Sequence, residues 1–418
     1  MAIGREGASV PAIACGGVLL VGALVLIYCV SQFLRNSVGV IVPDLVAELH
    51  LSATEIGVLS SAFFFAFAGA QIPLGISLDR YGPKICMLVC AGVAIAGAAL
   101  FAVAVSPAWL IAARVLMGIG SSCFLMAPLA LYARRYGPDR FATLVGIQLG
   151  LGSFGTLLAT APLAYAVAAV GWRTTFLLVA AAILLIAMVV AIVVRDGHRG
   201  GSDSPRESFR ESIRGLMQAL RTPSVGRLFF MQLATYSSFV LVVGLWGGPY
   251  LTHIYGYSLQ ARGQMLLLAA FAQIAGSMLW GPAERLFGSC KRPVLLGAAL
   301  TVVTLAVIAV FGVLPEGSLA VWFVAIGAFT GYVTILIAHG RSLFPPHLLG
   351  RGLTILNIGT MFGVFLSQTV SGLVIDLFPS ANGAYALDAY RLVFALQAVF
   401  LVAAAVAYFG SRDPREEI

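Results

Sequence analysis

The sequence predicts an all-α polytopic membrane protein, with twelve transmembrane helices in two pseudo-symmetric six-helix bundles. Three observations carry that prediction. Of 418 residues, 60% are hydrophobic and only 10% are charged, with a mean hydropathy of +0.98; an ordinary soluble domain is roughly 45–50% apolar and about 25% charged. Apolar runs long enough to cross about 30 Å of hydrocarbon recur along the whole chain. Residues of the first half also reappear in the second at a constant offset. A soluble globular enzyme is excluded, and no segment is large enough for a separate soluble domain.

In order, the spans fall at 17–41, 56–78, 85–105, 110–132, 142–168, 174–194, 225–247, 263–283, 294–314, 319–339, 352–374 and 391–410. They are continuously apolar rather than alternating, which selects helices over a barrel. Span 1, after Arg5, imitates a signal peptide, but it runs to about Gly39, too long for a cleaved core. Most of the 46 glycines and 18 prolines lie inside the spans, as expected where membrane helices pack closely or bend. The six cysteines show no repeated spacing, so they form neither a disulfide frame nor a metal site.

The polar break between spans 6 and 7 divides the chain into a bundle at 1–194, a linker at 195–224 and a bundle at 225–418. The linker reads as a flexible cytoplasmic segment ending in an amphipathic helix, Phe209 to Leu220, or as a plain charged tether. A net charge of +8 could suggest nucleic acid, but the basic residues follow topology instead. With a cytoplasmic N-terminus, 20 of the 25 fall inside, including Arg80, Lys84, Arg134, Arg285, Lys291, Arg351 and Arg412. Only Arg173, Arg262 and Arg391 fall outside, and Arg35 and Arg114 lie within spans. The expected location is the cytoplasmic membrane of the cell, multi-pass, with both termini inside.

A shift of 206 places Pro43 on Pro249, Ser52 on Ser258, Gly57 on Gly263, Gly75 on Gly281 and Gly82 on Gly288. A slightly larger shift matches Trp172-Arg173-x-x-Phe176 with Tyr390-Arg391-x-x-Phe394. Two halves in parallel order are the pattern of a rocking transporter.

Between spans 2 and 3, Gly75-Ile-Ser-Leu-Asp79-Arg80-Tyr-Gly82-Pro-Lys84 resembles the signature loop of the major facilitator superfamily. In that family the acidic residue caps and pairs with neighbouring helix ends in the outward-open state. The resemblance therefore implies a cytoplasmic latch at Gly75, Asp79, Arg80, Gly82 and Lys84, where the bland alternative is a solvated loop. The second copy, Gly281-Pro-Ala-Glu284-Arg285-Leu-Phe-Gly288, moves the acid one place earlier, which makes Glu284 and Arg285 a weaker latch. Arg114-x-x-x-Gly118-x-Gly120 resembles a further family motif, associated with proton-coupled members, so a proton is the expected coupling ion if there is one.

The resemblance also implies a central cavity lined by spans 1, 4, 7 and 10. Span 1 carries Tyr28, Gln32, Arg35 and Asn36 on one helical face. Arg35 offers a planar five-donor fork suited to a carboxylate or phosphate, unless it snorkels to the outer surface or pairs with Asp44. Arg114 either meets the substrate or hydrogen-bonds between helices. Further candidates are Tyr236, Ser238 and Trp246 in span 7, Gln273 in span 8, Thr330, Tyr332 and Thr334 in span 10, and Asn357 and Gln368 in span 11. Such side chains can equally serve as glue between helices. Trp246 could stack on a ligand, gate the outer side or sit in an interface belt.

None of the 17 acidic residues sits at mid-span. A cavity with positive charge and no negative charge selects anions, so the leading expectation is a secondary active transporter of a small organic anion working by alternating access. Drug or metabolite efflux by proton antiport is the alternative, weakened because span 5 lacks the tight Gly-Pro-x-x-Gly-Gly cluster of family drug antiporters; a non-transporting sensor is a third. No catalytic, nucleotide or cofactor motif appears, so neither an enzyme nor a cofactor is expected. The expected assembly is a monomer in a lipid bilayer, without nucleic acid.

Overall fold

The computed structural model describes residues 15–194, 209–344, 348–381 and 384–413. The first part of the expected linker, Pro345 and Pro346, Arg5 and Arg415 lie outside them.

The N-terminal half contains α1 (Cys15–Asn36), α2 (Val38–Leu49), α3 (Ala53–Tyr81), α4 (Pro83–Ala102), α5 (Pro107–Ser121), α6 (Cys123–Arg135), α7 (Pro138–Gly152), α8 (Phe154–Leu158) and α9 (Ala161–Val193). Next comes α10 (Phe209–Leu220), the segment expected to be amphipathic, which lies against both α3 and the later helix α18 (Leu349–Ile375). The C-terminal half continues with α11 (Val225–Leu241), a π-helical turn (Val242–Trp246), α12 (Gly247–Tyr255), α13 (Leu259–Trp280), α14 (Ala283–Leu286), α15 (Lys291–Phe311), α16 (Glu316–Thr330) and α17 (Val333–Leu343). After α18, strands β1 (Ser380–Ala381) and β2 (Ala384–Tyr385) pair antiparallel ahead of α19 (Leu387–Phe409).

Among the described residues, eleven helical runs are long and apolar enough to cross a membrane. The twelfth span is carried by α7, α8 and the start of α9, whose helical run is interrupted at Gly171 (φ 76°) where spans 5 and 6 meet. The fold is therefore the twelve-helix membrane architecture that the sequence predicts.

The two halves repeat each other in detail. Ser52 caps α3 by accepting from Glu55 N, and Glu55 reaches back to Ser52 N; at the equivalent place Ser258 Oγ accepts from Ala261 N at the start of α13. Gly82 and Gly288 both hold positive φ, 85° and 58°, in the turns that follow. Arg173 donates to Ala104 O, and Arg391 donates to Ala309 O and Val310 O. Offset-related residues thus make the same kind of bond in each half.

The spans expected to line the centre are not straight. Span 1 breaks at Ser37, span 4 at Ser122, span 7 at the π-turn and span 10 at Gly331 and Tyr332. Under the shift of 206, Ser37 falls on Val243, inside the π-turn. A break frees backbone carbonyls in an apolar medium, where each needs a partner. Two of the breaking residues supply one themselves, because Ser37 Oγ donates to Leu34 O (3.2 Å) and Ser122 Oγ donates to Ile119 O (2.7 Å).

Candidate functional site

Helix α1 is held by its own half on two sides. Ser31 Oγ donates to Ser121 O of α5, and Gln148 Nε2 of α7 donates to Leu24 O (2.8 Å). Gly155 in α8 brings its backbone against Cys29 and Gln32; a Cβ there would overlap them. These contacts fix the rotation of α1 and thereby the direction of its polar stripe.

That stripe is Tyr28, Gln32, Arg35 and Asn36. Arg35 is 8% exposed, its Cζ lies 5.0 Å from the centre of the Phe67 ring of α3, and it makes no hydrogen bond or ion pair among the described residues. Its buried Nε has no acceptor. Tyr28 is buried and lies within electrostatic reach of both Arg35 and Tyr236, so it links the stripe to α11 of the other half. The carboxylates at the boundary between the halves are engaged with other partners. Asp44 pairs with Arg262, Glu48 binds Trp172 Nε1 (2.6 Å) and Arg173, and Asp376 accepts from the start of α3. A guanidinium left unpaired in a buried setting is costly, and its positive charge is uncompensated in this state.

From the C-terminal half, Trp246 Nε1 donates to Ser371 Oγ (2.7 Å), and Ser371 Oγ donates to Gln368 O (2.9 Å). Gln368 is fully buried, yet neither its Oε1 nor its Nε2 has a partner among the described residues.

The other expected residues are engaged in packing between or within helices. Arg114 is fully buried, donates to Leu34 O and to Ser60 O (3.4 Å), and lies 4.6 Å from the Phe63 ring centre. Ser238 Oγ donates to Ala234 O and accepts from Gln397 Nε2 (3.0 Å), turned toward α19. Tyr332 donates to Thr235 Oγ1 (3.1 Å), while Thr330 and Thr334 bond back to their own helix region at Ile326 O and Gly331 O. Gln273 and Asn357 are half-buried on α13 and α18.

The boundary between the halves is tied together at the face that carries Asp44. Arg262, 4% exposed, ion-pairs with Asp44, donates through Nε to Val40 O (2.8 Å) and through Nη1 to Thr252 Oγ1 (3.1 Å). Asp376 accepts from Ala53 N (2.9 Å) and Thr54 N (2.8 Å), capping α3 from the other half. Carboxylates at a helix N-terminus gain from both the free amides and the helix dipole. About two turns further in, Thr369 Oγ1 donates to Ser61 Oγ (2.9 Å). Backbones touch at Gly57 and Gly372: a Cβ on Gly57 would stand 2.6 Å from Gln368 O, and one on Gly372 2.6 Å from Ala53 O.

Sequence reasoning placed Arg262 and Asp376 only as loop charges and did not weigh Phe67. Arg262 did carry a signal, since it is an arginine in the first turn of an apolar span, where a bare charge is costly.

At the opposite, basic face, Asp79 Oδ1 lies 3.9 Å from Arg134 Nη2 of its own half, with both side chains exposed. Arg80 stacks over Tyr81 (5.3 Å). Gly75 is open to its surroundings, Gly82 makes the turn, and Lys84 has a partner; Glu284 accepts from Cys290 (3.8 Å) beside Arg285 on α14. Among the described residues, no cluster of His, Cys, Asp or Glu could hold a metal ion.

The sequence profile described as the Major Facilitator Superfamily matches residues 24–261 and 228–418. The chain is 27% identical over 269 residues to the probable sulfoacetate transporter of Cupriavidus necator, a match that spans 62% of this chain and 62% of that protein. It is 25% identical over 399 residues to the fosmidomycin resistance protein of Escherichia coli strain K12, covering 91% of this chain and 92% of that protein. The crystal structure of a bacterial homolog of the human lysosomal transporter Spinster, in an inward-facing and unoccupied conformation, superposes with a TM-score of 0.76 at 20% identity over 95% of this chain and 97% of that one. With the profile covering both halves and the twelve-helix fold shared, the chain belongs to the Major Facilitator Superfamily.

Proposed function

We propose that this protein is a secondary active transporter that moves a small organic anion across the cytoplasmic membrane by alternating access, with Arg35 as the anion anchor. The observation that carries the reading is the buried guanidinium of Arg35, which makes no hydrogen bond or ion pair among the described residues, while Asp44, Glu48 and Asp376 each hold another partner. An arriving carboxylate or sulfonate would supply the missing charge and accept from the fork. The similarity to a probable sulfoacetate transporter supports an anionic cargo.

The distribution of bonds supports alternating access. The basic face is the cytoplasmic one by the positive-inside rule. The ties at Asp44, Asp376 and Ser61 then lie on the outer side, as expected of a state closed to the outside. Among the described residues the signature-loop carboxylate Asp79 holds only a long, exposed contact within its own half, as a released latch should. A ligand shifts such an equilibrium only through unequal binding to the two states.

Purified protein in sealed proteoliposomes, offered radiolabelled organic acids with and without imposed pH gradients, tests both the substrate class and proton coupling. Arg35→Gln should abolish anion uptake; uptake that survives with charge selectivity intact overturns the anchor. Export is the second reading, favoured by the similarity over nearly the whole chain to a fosmidomycin resistance protein. The same vesicles distinguish it by the direction in which the gradient drives flux.

A further inference from the structure

The unpartnered groups beside Arg35 are of two kinds, and the difference specifies what a bound anion carries besides its charge. Asn36 Nδ2 donates to Gln32 O (3.0 Å) and meets Thr156 Oγ1 (3.5 Å). A backbone carbonyl can only accept, so this bond fixes which end of the amide is nitrogen. The remaining atom, Oδ1, is therefore an acceptor. It is buried and without a partner, on a residue 2% exposed, and it points toward Gly244 in the π-turn at the boundary between the halves.

One turn earlier Gln32 Oε1 is also buried and unpartnered, on a residue 9% exposed. Arg35, between them in sequence, has donors only, and its buried Nε is unpaired. The α1 stripe thus presents a cationic donor fork beside one fixed acceptor, Asn36 Oδ1, and an amide at Gln32 that can offer either end to a ligand.

A plain carboxylate or sulfonate consists of acceptors. It would satisfy Arg35 and could take a donor from Gln32, whose amide no hydrogen bond fixes, but it would leave Asn36 Oδ1 stranded at the desolvation cost of an unmet buried acceptor. A ligand that carries donors beside its acid group meets all of them. The donors could be hydroxyls or an ammonium group. An ammonium would place a second cation beside Arg35, which has no carboxylate partner among the described residues, and this disfavours it. We propose that the site is built for a hydroxy acid, whose acid group takes Arg35 while its hydroxyls donate to Asn36 Oδ1 and Gln32 Oε1.

This inference rests on the anion reading above, and the test separates the two. Full-length protein is offered matched pairs, lactate with propionate and gluconate with hexanoate, with serine as the zwitterionic arm, and binding is read by thermal stabilisation and by competition. The hydroxylated member of each pair should bind at least about tenfold more tightly than its deoxy partner, because a site built around hydroxyl donors rejects ligands that lack them. Serine should bind more weakly than lactate. Gln32→Met, which removes one acceptor and keeps the chain length, should bring the hydroxyl preference of at least one pair close to unity. The comparison within pairs uses the unaltered protein, so it holds even if the variant fails to fold. Equal binding within both pairs overturns the hydroxy-acid proposal and leaves the anion reading standing. Tighter binding of serine than lactate overturns it in favour of a zwitterion. Binding of organic cations alone removes the anion reading itself.

Discussion

Arg262 on α13 and Asp44 on α2 form an ion pair across the boundary between the two halves, 218 residues apart in sequence. The guanidinium is 4% exposed and the carboxylate 34% exposed, so the pair bridges from a buried donor to a partly wetted acceptor. Two further bonds, to Val40 O and Thr252 Oγ1, anchor the arginine and leave Asp44 as its only charged partner among the described residues.

Replacing Asp44 with Asn should weaken the closed side by stranding a buried cation. A fully buried pair broken this way costs about 3–5 kcal/mol; the part-exposed Asp44 reduces this to about 1–2 kcal/mol. Labelling of a cysteine introduced at the seam in place of the buried Val40, whose backbone carbonyl and not its side chain holds Arg262, should rise about fivefold or more in the Asp44→Asn background. An unchanged labelling rate removes the pair from this role.

Asp376 makes an independent tie. Asp376→Asn keeps the side-chain size but loses the charge that caps Ala53 N and Thr54 N. Cysteines at positions 61 and 369, whose native hydroxyls lie 2.9 Å apart, should cross-link readily in the unaltered background and more slowly once Asp376→Asn is added. The effects of Asp44→Asn and Asp376→Asn should be close to additive, since the two ties share no partner. A strong deviation would mean the two ties break as one unit.

Arg114→Met should act on stability rather than selectivity. The arginine is fully buried and bonded to Leu34 O and Ser60 O. Removing it loses two charge-assisted bonds between helices, although Ser37 Oγ still donates to Leu34 O; hydrogen bonds to a charged group are worth about 1–3 kcal/mol. Thermal unfolding should fall by several degrees, while the preference for anions over cations should persist in whatever protein folds. Loss of anion preference with normal stability would assign Arg114 to the substrate path instead.

Glu48 provides a pH prediction. The hydrogen bond from Trp172 Nε1, reinforced by Arg173, holds its carboxyl below the usual range. A depressed folded-state value contributes stability that is present above the ordinary glutamate range, about 4.3, and is lost as pH falls through the lower folded value. Trp172 fluorescence should therefore change only on acidification below about pH 4. Glu48→Gln should abolish that change, and its persistence would mean that another group reports on Trp172.

The spans, their number and the repeat were legible because they are written locally: in apolar length, in the caps at Ser52 and Ser258, and in the turns at Gly82 and Gly288. The breaks at Ser37 and Ser122 were not, because a serine in an apolar run carries no proline-like mark and bonds its own helix. The polar stripe from Tyr28 to Asn36 could be read from helical spacing alone. Which of its atoms lack partners could not, because that depends on Thr156 and the backbone of Gln32 reaching Asn36. The partners of Arg262 and Asp376 depend on how the halves face each other, which no linear pattern encodes.

Helix α10 touches α3 of one half and α18 of the other at the basic face, and a Cβ at Gly215 would overlap the Arg351 side chain. The segment joining the halves thus also serves as a strut between them. Parting α3 from α18 at the basic face requires peeling α10 from one of its two supports, so the chain that connects the halves also restrains how far they can separate there.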